Sequence, residues 1–334
     1  MKICIVGAGA IGGLFAAWLA PHHQLSVFAR GATLGALREH GQRWIDAHDV
    51  SHVVPVTASD RVQDLGTQDL IVLAVKGPAL DVVAPAVQAL SAAHTQVLVA
   101  MNGVPWWFFD GLGGPCDGLR LQATDATGRL TASIPTRQVI GCVVHLSSAC
   151  PAPGVLRHNS GNTLIIGEPA GGKTERTLAL QNLLTQAGFA TTVSERVQRD
   201  IWFKLWGNMT MNPISAITGA TVDRLLDDPL VRSFCSAVMV EAQHIGAAIG
   251  IPIDQDVEQR HAVTRKLGAF KTSMLQDVEA GRTIELDGLV AAVREIGQRL
   301  GLATPNIDAL LGLTRVMAQM RGLYPMNAPI AAKR

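Results

Sequence analysis

After Met1 and Lys2 come eighteen uncharged residues, 3–20, and this run divides into two patterns. Ile3-Cys4-Ile5-Val6 is a short β-branched block that stops at Gly7, as a strand buried on both faces would. Residues 13–20 fit a helix, which Pro21-His22-His23 ends, and Leu25-Ser26-Val27-Phe28 predicts a second strand. Strand, glycine turn, helix and strand in about thirty residues make a βαβ unit. The same letters also fit a secretory leader or a membrane helix. A cleaved leader, however, has no reason to be followed by a matching strand at that distance.

The alternation continues. Residues 53–56 predict a strand, and 69–76, DLIVLAVK, a parallel strand covered on both faces. Residues 80–90 predict a helix and 96–103 another strand. Strands at 139–146 and 163–168 have room to run antiparallel. A helix at 178–187 and an edge strand at 190–193 complete a sheet-based domain. From Arg199 onward the period becomes helical, with the longest candidates at 200–211, 229–249, 256–267 and 284–300, punctuated by Gly250, Gly281 and Gly301. The fold class is therefore α/β: a Rossmann-type dinucleotide-binding domain, 1–197, followed by an all-α domain, 198–334. The tail after Tyr324, with Pro325 and Pro329, is expected to be loose.

Composition narrows the picture. At 334 residues two domains are natural, and 48% hydrophobic with 16% charged residues supplies a large core. No later stretch sustains eighteen residues that are both uncharged and apolar, which argues against several membrane spans. With 28 basic and 27 acidic residues and no dense Lys/Arg run, neither a nucleic-acid nor a membrane surface is indicated. Five widely spaced cysteines form no C-x-x-C pair and no Cys/His ligand cluster. They predict reduced, mostly buried thiols in a cytoplasmic protein without a metal site.

Gly7-Ala8-Gly9-Ala10-Ile11-Gly12 has the spacing of a dinucleotide turn. Gly7 permits the tight exit from the strand, Gly9 lets a pyrophosphate approach the backbone, and Gly12 lets the helix pack on the sheet. The phosphates then meet unpaired N–H groups at the helix N-terminus. Phe28-Ala29-Arg30 ends the second strand without the acid that an NAD-selective site places near there. A guanidinium can instead pair with a 2′-phosphate, which favours NADP(H); the alternative is a surface arginine that merely ends a strand.

A second stretch, IWFKLWGNMTMNP, places Lys204, Asn208 and Asn212 at i, i+4 and i+8, one stripe of a helix. Trp202, Leu205, Trp206 and Met209 take the other sides. Such a stripe is either a solvated face or the polar wall of a cleft.

With these motifs in order, the chain resembles the ketopantoate reductase family (2-dehydropantoate 2-reductases) over nearly its whole length. The resemblance rests on the glycine turn, Val75-Lys76, Asn102-Gly103, the GCVVH…PGVLRHNSG…IGE stretch between Gly141 and Glu168, the K…N…NP helix through Pro213, and SMLQDVEAGRTIELDGL from Ser273 through Glu285. It implies a helical domain like the C-terminal one of 6-phosphogluconate dehydrogenase. It also implies NADPH-dependent reduction of ketopantoate to pantoate, a step of pantothenate biosynthesis. In that reading Lys204 is the general acid and Glu285 the glutamate near cofactor and lysine. Asn102 touches both cofactor and substrate, and Asn208, Asn212 and Ser273 hydrogen-bond the substrate. Lys76 and Ser147 contact the cofactor. Plainer roles stay open: Lys76 as a solvated strand end, Glu285 as a first-turn acid, Ser273 as an N-cap, and His145 as a structural or pocket-edge residue.

The chain departs from the family at Met101, in the aromatic run Trp106-Trp107-Phe108-Phe109, at Val222 and at Phe270. If the aromatic run lies by the nicotinamide, the pocket is more apolar than a small dihydroxylated acid needs; the alternative is that these rings pack into the domain interface. Three alternatives follow: ketopantoate itself, a more apolar 2-oxo acid, or a non-catalytic NADP(H) sensor. A proton donor at Lys204 argues against the sensor. A homodimer through the helical domain is compatible with the sequence, although no self-complementary patch stands out.

Overall fold

Ten strands form one sheet in the computed structural model, which describes residues 1–326; the expected loose tail lies, from residue 327 on, outside the described residues. They are β1 (Lys2–Val6), β2 (Gln24–Phe28), β3 (Gln42–Ile45), β4 (Ser51–Val54), β5 (Thr57–Ser59), β6 (Leu70–Leu73), β7 (Gln96–Val99), β8 (Val139–Ala152), β9 (Val155–Gly167) and β10 (Ala190–Val193). The order is β4-β3-β9-β8-β7-β6-β1-β2-β5, with β10 beside β9. From β5 through β8 every pairing is parallel. All four residues of β6 are buried, and so are Ile3 to Val6 of β1. That is why these segments carry unbroken apolar runs instead of alternation.

The chain leaves β1 through helix α1 (Ala10–Leu19) for β2 on one side, and later returns to β6 on the other. The strand order therefore reverses at β1. Open α/β sheets bind ligands in the crevice outside the C-terminal ends of the strands at such a point. Helix α1 packs Leu14, Phe15 and Leu19 into the sheet core, where Phe15 stacks on Phe189 at 4.7 Å. Helices α2 (Gly31–His40), α3 (Leu80–Leu90), α5 (Arg129–Ser133) and α6 (Glu175–Gln186) also belong to this unit, which comprises Met1–Met101, Asp110–Leu112 and Gly128–Asp200.

Two strands outrun their sequence pattern. β8 and β9 form an antiparallel hairpin of 14 and 13 residues, closed through Gly154 at φ +69°. Register shifts near His145, Ser147 and Ala149 bend it. The strand expected at 53–56 instead spans Ser51–Val54, paired antiparallel with β3; Pro55, which cannot donate to a ladder, follows it.

The second unit holds Asn102–Phe109, Gly113–Thr127 and the chain from Ile201 onward. It contains α4 (Gln122–Asp125), most of α7 (Val197–Thr218), α8 (Val222–Asp227), α9 (Pro229–Ala248), α10 (Val257–Arg265), α11 (Ser273–Glu279), α12 (Ala292–Arg299) and α13 (Pro305–Met320). Asp228 and Asp256 cap α9 and α10 by accepting from two backbone N–H groups each. Glutamates from elsewhere in the sequence cap two other helices. Buried Glu295 accepts from the N–H groups of Gln122 and Ala123, and Glu241 from those of Asn306 and Ile307. Helix α7 extends seven residues beyond the expected 200–211 and carries Pro213 inside it. The four consecutive aromatics 106–109 are all buried here, with Phe108 edge-on to Phe109 and tilted against Trp202 at 6.0 Å. They are core side chains of the helical unit.

Among the described residues no helix is long and apolar enough to cross a membrane, and no group of three His, Cys, Asp or Glu could hold a metal. None of the five cysteines is in a disulfide, and four of them are buried. Burial pushes the Cys4 thiol to about 11 and that of Cys235 to about 12.

Candidate active site

In the sheet unit, the three glycines of the turn differ in what forbids a side chain. Gly7 has φ +101°, and a Cβ there would lie 2.6 Å from Val75 Cγ1. A Cβ on Gly12 would fall 1.9 Å from the carbonyl oxygen of Gly7. Packing alone requires these two. A Cβ on Gly9 would meet no atom of the protein within 4 Å. Gly9 is also the N-cap of α1 and offers no side chain to its first N–H groups. The opening beside Gly9 and the uncapped helix start are what a pyrophosphate needs, so the residues present fit a dinucleotide. Ala8 and Ile11 pack partly against the core, and Ala10 begins α1.

Parallel register gathers further residues at the same end of the sheet. Val6 pairs with Phe28 on one side and with Leu73 on the other. Arg30 and Lys76, two and three residues beyond those partners, therefore follow the same strand ends as Gly7. Arg30 is exposed at the N-cap of α2, with its guanidinium 5.3 Å from the Phe28 ring. Lys76 is half-buried and precedes a short 3₁₀ turn. Ser147 lies on the bulged extension of β8, where its hydroxyl accepts from Asn159 at 3.3 Å. His145, one bulge earlier, is exposed.

In the helical unit the stripe on α7 is polar and only partly exposed: Lys204 and Asn208 are half-buried and Asn212 is buried. Trp202, Leu205, Trp206 and Met209 are buried on the remaining sides, and the Trp206 indole donates to the Met239 carbonyl at 2.9 Å. Hydrophobic packing thus fixes the rotation of the helix and with it the direction of the stripe. Lys204 Nζ donates to Asn102 Oδ1 at 2.9 Å. Asn212 Nδ2 donates to the Ser273 hydroxyl at 3.4 Å. Thr272, not Ser273, caps α11, accepting from the Leu275 N–H; Ser273 is the exposed first residue of that helix. Glu285 is half-buried just ahead of the helical segment that begins at Leu286. The unit thus brings Lys204 to Asn102 and Asn212 to Ser273.

The helical unit also holds site-side residues to which the sequence motifs give no role. Arg260 of α10 lies over the Phe203 ring at 4.9 Å and closes the notch at Gly207, between Lys204 and Asn208 along α7. Burial draws its pKa below the usual guanidinium range. The segment after Glu285 begins with a π-helical turn, Asp287–Ala291, where the Ala292 N–H reaches back to the Asp287 carbonyl. Gly103, at φ +82°, rests on this turn: a Cβ on it would lie 2.6 Å from the Gly288 carbonyl carbon. Asp287 accepts from the hydroxyl of Tyr324, the chain's one tyrosine, at 2.5 Å. Burial raises the Asp287 pKa, against the lowering effect of that bond, and burial with the same bond raises that of Tyr324. A lone glycine in a helical pattern gives little sign of a π turn; the single tyrosine was the one visible cue.

A family model described as ketopantoate reductase PanE/ApbA matches residues 3–106, and one described as ketopantoate reductase PanE/ApbA C terminal matches residues 196–318. The 2-dehydropantoate 2-reductase of Mesorhizobium japonicum is 44% identical over 330 residues, which cover 97% of this chain and all of that protein. A crystal structure of a candidate ketopantoate reductase from Ralstonia solanacearum MolK2 is 56% identical, with a TM-score of 0.93 over 97% of this chain and 99% of that one. D-mandelate dehydrogenase, solved with NADH and anilino(oxo)acetate, shares the fold at 21% identity and a TM-score of 0.82, covering 97% of this chain and all of that one.

Proposed function

The chain belongs to the ketopantoate reductase family of dinucleotide-dependent oxidoreductases, and we propose that it reduces ketopantoate to pantoate with NADPH, as a cytoplasmic enzyme of pantothenate biosynthesis. The observation that carries this reading is the Lys204–Asn102 pair on a half-buried polar stripe. A cationic donor held by a neutral acceptor keeps its proton and stays available to a developing alkoxide.

Bound NADPH supplies the hydride that goes to the carbonyl carbon of the 2-oxo acid. Lys204 gives its proton to the carbonyl oxygen, so the ketone becomes an alcohol, and the lysine is reprotonated from solvent. Asn102, Asn208, Asn212 and Ser273 bind the carboxylate and hydroxyl groups of the substrate, and Glu285 balances the charge beside the lysine. The glycine turn, Gly7 through Gly12, holds the pyrophosphate, with Lys76 and Ser147 as further cofactor contacts. Arg30 recognises the 2′-phosphate; no acid stands at the end of β2 to compete for it.

The test is turnover. Ketopantoate added to the enzyme and NADPH should oxidise the nicotinamide, with pantoate as product. A panel of 2-oxo acids with longer apolar chains ranks the alternatives. Preference for one of these over ketopantoate would reassign the substrate. Tight NADPH binding with no turnover on any oxo acid would overturn the enzymatic reading.

A further inference from the structure

We propose that the π turn Asp287–Ala291 is a positioning device for the proton donor, with Gly288, Asp287 and Tyr324 as its positioning residues. The inference rests on Lys204 being the general acid. Its physical links form one chain within the helical unit. The Tyr324 hydroxyl holds Asp287 at 2.5 Å. Gly288, the next residue of the turn, accepts from the Val104 N–H at 2.8 Å through its carbonyl. Gly103 lies so close on the Gly288 carbonyl that Gly103 itself can carry no side chain. Gly103 follows Asn102, whose side-chain oxygen accepts from Lys204 Nζ at 2.9 Å.

The geometry explains two otherwise odd choices. A π turn inserts one residue into a helix and is weaker than regular α-helix, so its persistence marks a constraint. Here the constraint is the Gly288 carbonyl, turned to a partner outside its own helix. The half-buried Asp287 carboxyl, partly withdrawn from water, is matched to a hydroxyl donor that fixes the start of the same turn. Asn102 has no support from regular secondary structure, because it sits in a bend between β7 and the buried aromatic run. The π turn supplies that support. A misplacement of about 1 Å at a reacting group costs up to about 100-fold in rate, so support of this kind has kinetic weight.

The consequences have a direction. An acceptor on the ammonium favours its charged form and raises its pKa. Loosening Asn102 should lower the lysine pKa. The high-pH limb of kcat, along which the donor loses its proton, should then move to lower pH. Tyr324→Phe and Asp287→Ala should each reduce kcat by about 10- to 100-fold, with the limb displaced and NADPH affinity unchanged. Asp287→Asn keeps an acceptor for the tyrosine and should restore kcat and the limb to near wild type. Gly288→Ala should be mild, because its Cβ would come no closer than 3.7 Å to Val104 O. Gly103→Ala should be severe in both rate and melting temperature. A lowered melting temperature in Tyr324→Phe with kcat and its pH profile untouched would overturn the proposal and leave a merely structural pair. Lys204→Ala is measured alongside. If that variant keeps full activity, the general-acid assignment fails; if it is inactive while Tyr324→Phe and Asp287→Ala behave as wild type, the positioning inference alone fails.

Discussion

The ammonium of Lys204 and the carboxamide oxygen of Asn102 lie 2.9 Å apart although 102 residues of chain separate them. One sits on a long helix fixed by buried tryptophans, the other on a bend seated against a π turn. Each half of the pair is thus held by a different part of the helical unit.

Replacing Lys204 with alanine should cut kcat by about 10²- to 10⁴-fold, the range for loss of a general acid. Asn102→Ala keeps the proton donor but frees it, so its loss should be smaller and accompanied by a higher KM. Steady-state kinetics on both variants decide this. A fully active Lys204→Ala would remove the lysine from the chemistry.

The glycine turn gives a contrast within six residues. Gly9→Ala adds a methyl into space that no protein atom occupies, so the protein should melt at the wild-type temperature yet bind NADPH about tenfold less tightly, roughly 1.4 kcal/mol. Gly12→Ala drives a methyl into the Gly7 carbonyl and should lower the melting temperature itself. Calorimetry and a fluorescence titration of NADPH separate the two effects. Equal behaviour of the pair would contradict the division between ligand space and packing.

Arg30→Ala should weaken NADPH by about tenfold or more while leaving NADH little changed, since only one of these carries the 2′-phosphate that a guanidinium can pair. Competition binding with the two cofactors reads the ratio. An identical loss for both would refute the phosphate assignment.

In the sheet unit, Glu168 is buried and receives hydrogen bonds from Arg176 and from Thr174, the N-cap of α6. Burial alone would raise its pKa, but those bonds and the Arg176 charge outweigh it and hold the carboxyl below its ordinary 4.5. A carboxylate whose folded pKa is depressed contributes stability above its unfolded pKa and loses it as pH falls through the folded one. The melting temperature should therefore drop below pH 4.5. Glu168→Gln should lose about 2 kcal/mol at neutral pH and show a shallower acid decline. Asp287, whose pKa is raised, shifts the balance the other way and cannot produce that decline.

The first βαβ unit was legible because burial on both faces leaves no room for polar residues, so β1, β6 and the glycine turn appear as composition. The polar stripe on α7 was equally visible as spacing. The long β8–β9 hairpin was not. Its outer half, around SSACPAPGVLRHNS, is polar and broken by prolines and glycine, and its strand character comes from mutual pairing rather than from local propensity. Likewise, no periodicity in 102–109 or 113–127 announces that these segments join helices about a hundred residues away. Asn102 and Ser273 were placed by resemblance, whereas the links through Gly103, Gly288 and Tyr324 needed coordinates.

Phe108 is synthesised well before Trp202, the ring it packs against. On a ribosome, four large aromatic side chains therefore wait through roughly ninety further residues, several seconds at ordinary elongation rates, before their core exists. A fragment ending at the close of the sheet unit would keep them waiting indefinitely, and one beginning at α7 would lack them altogether. Cutting the gene between the two units would therefore leave apolar surface without its partner on both halves.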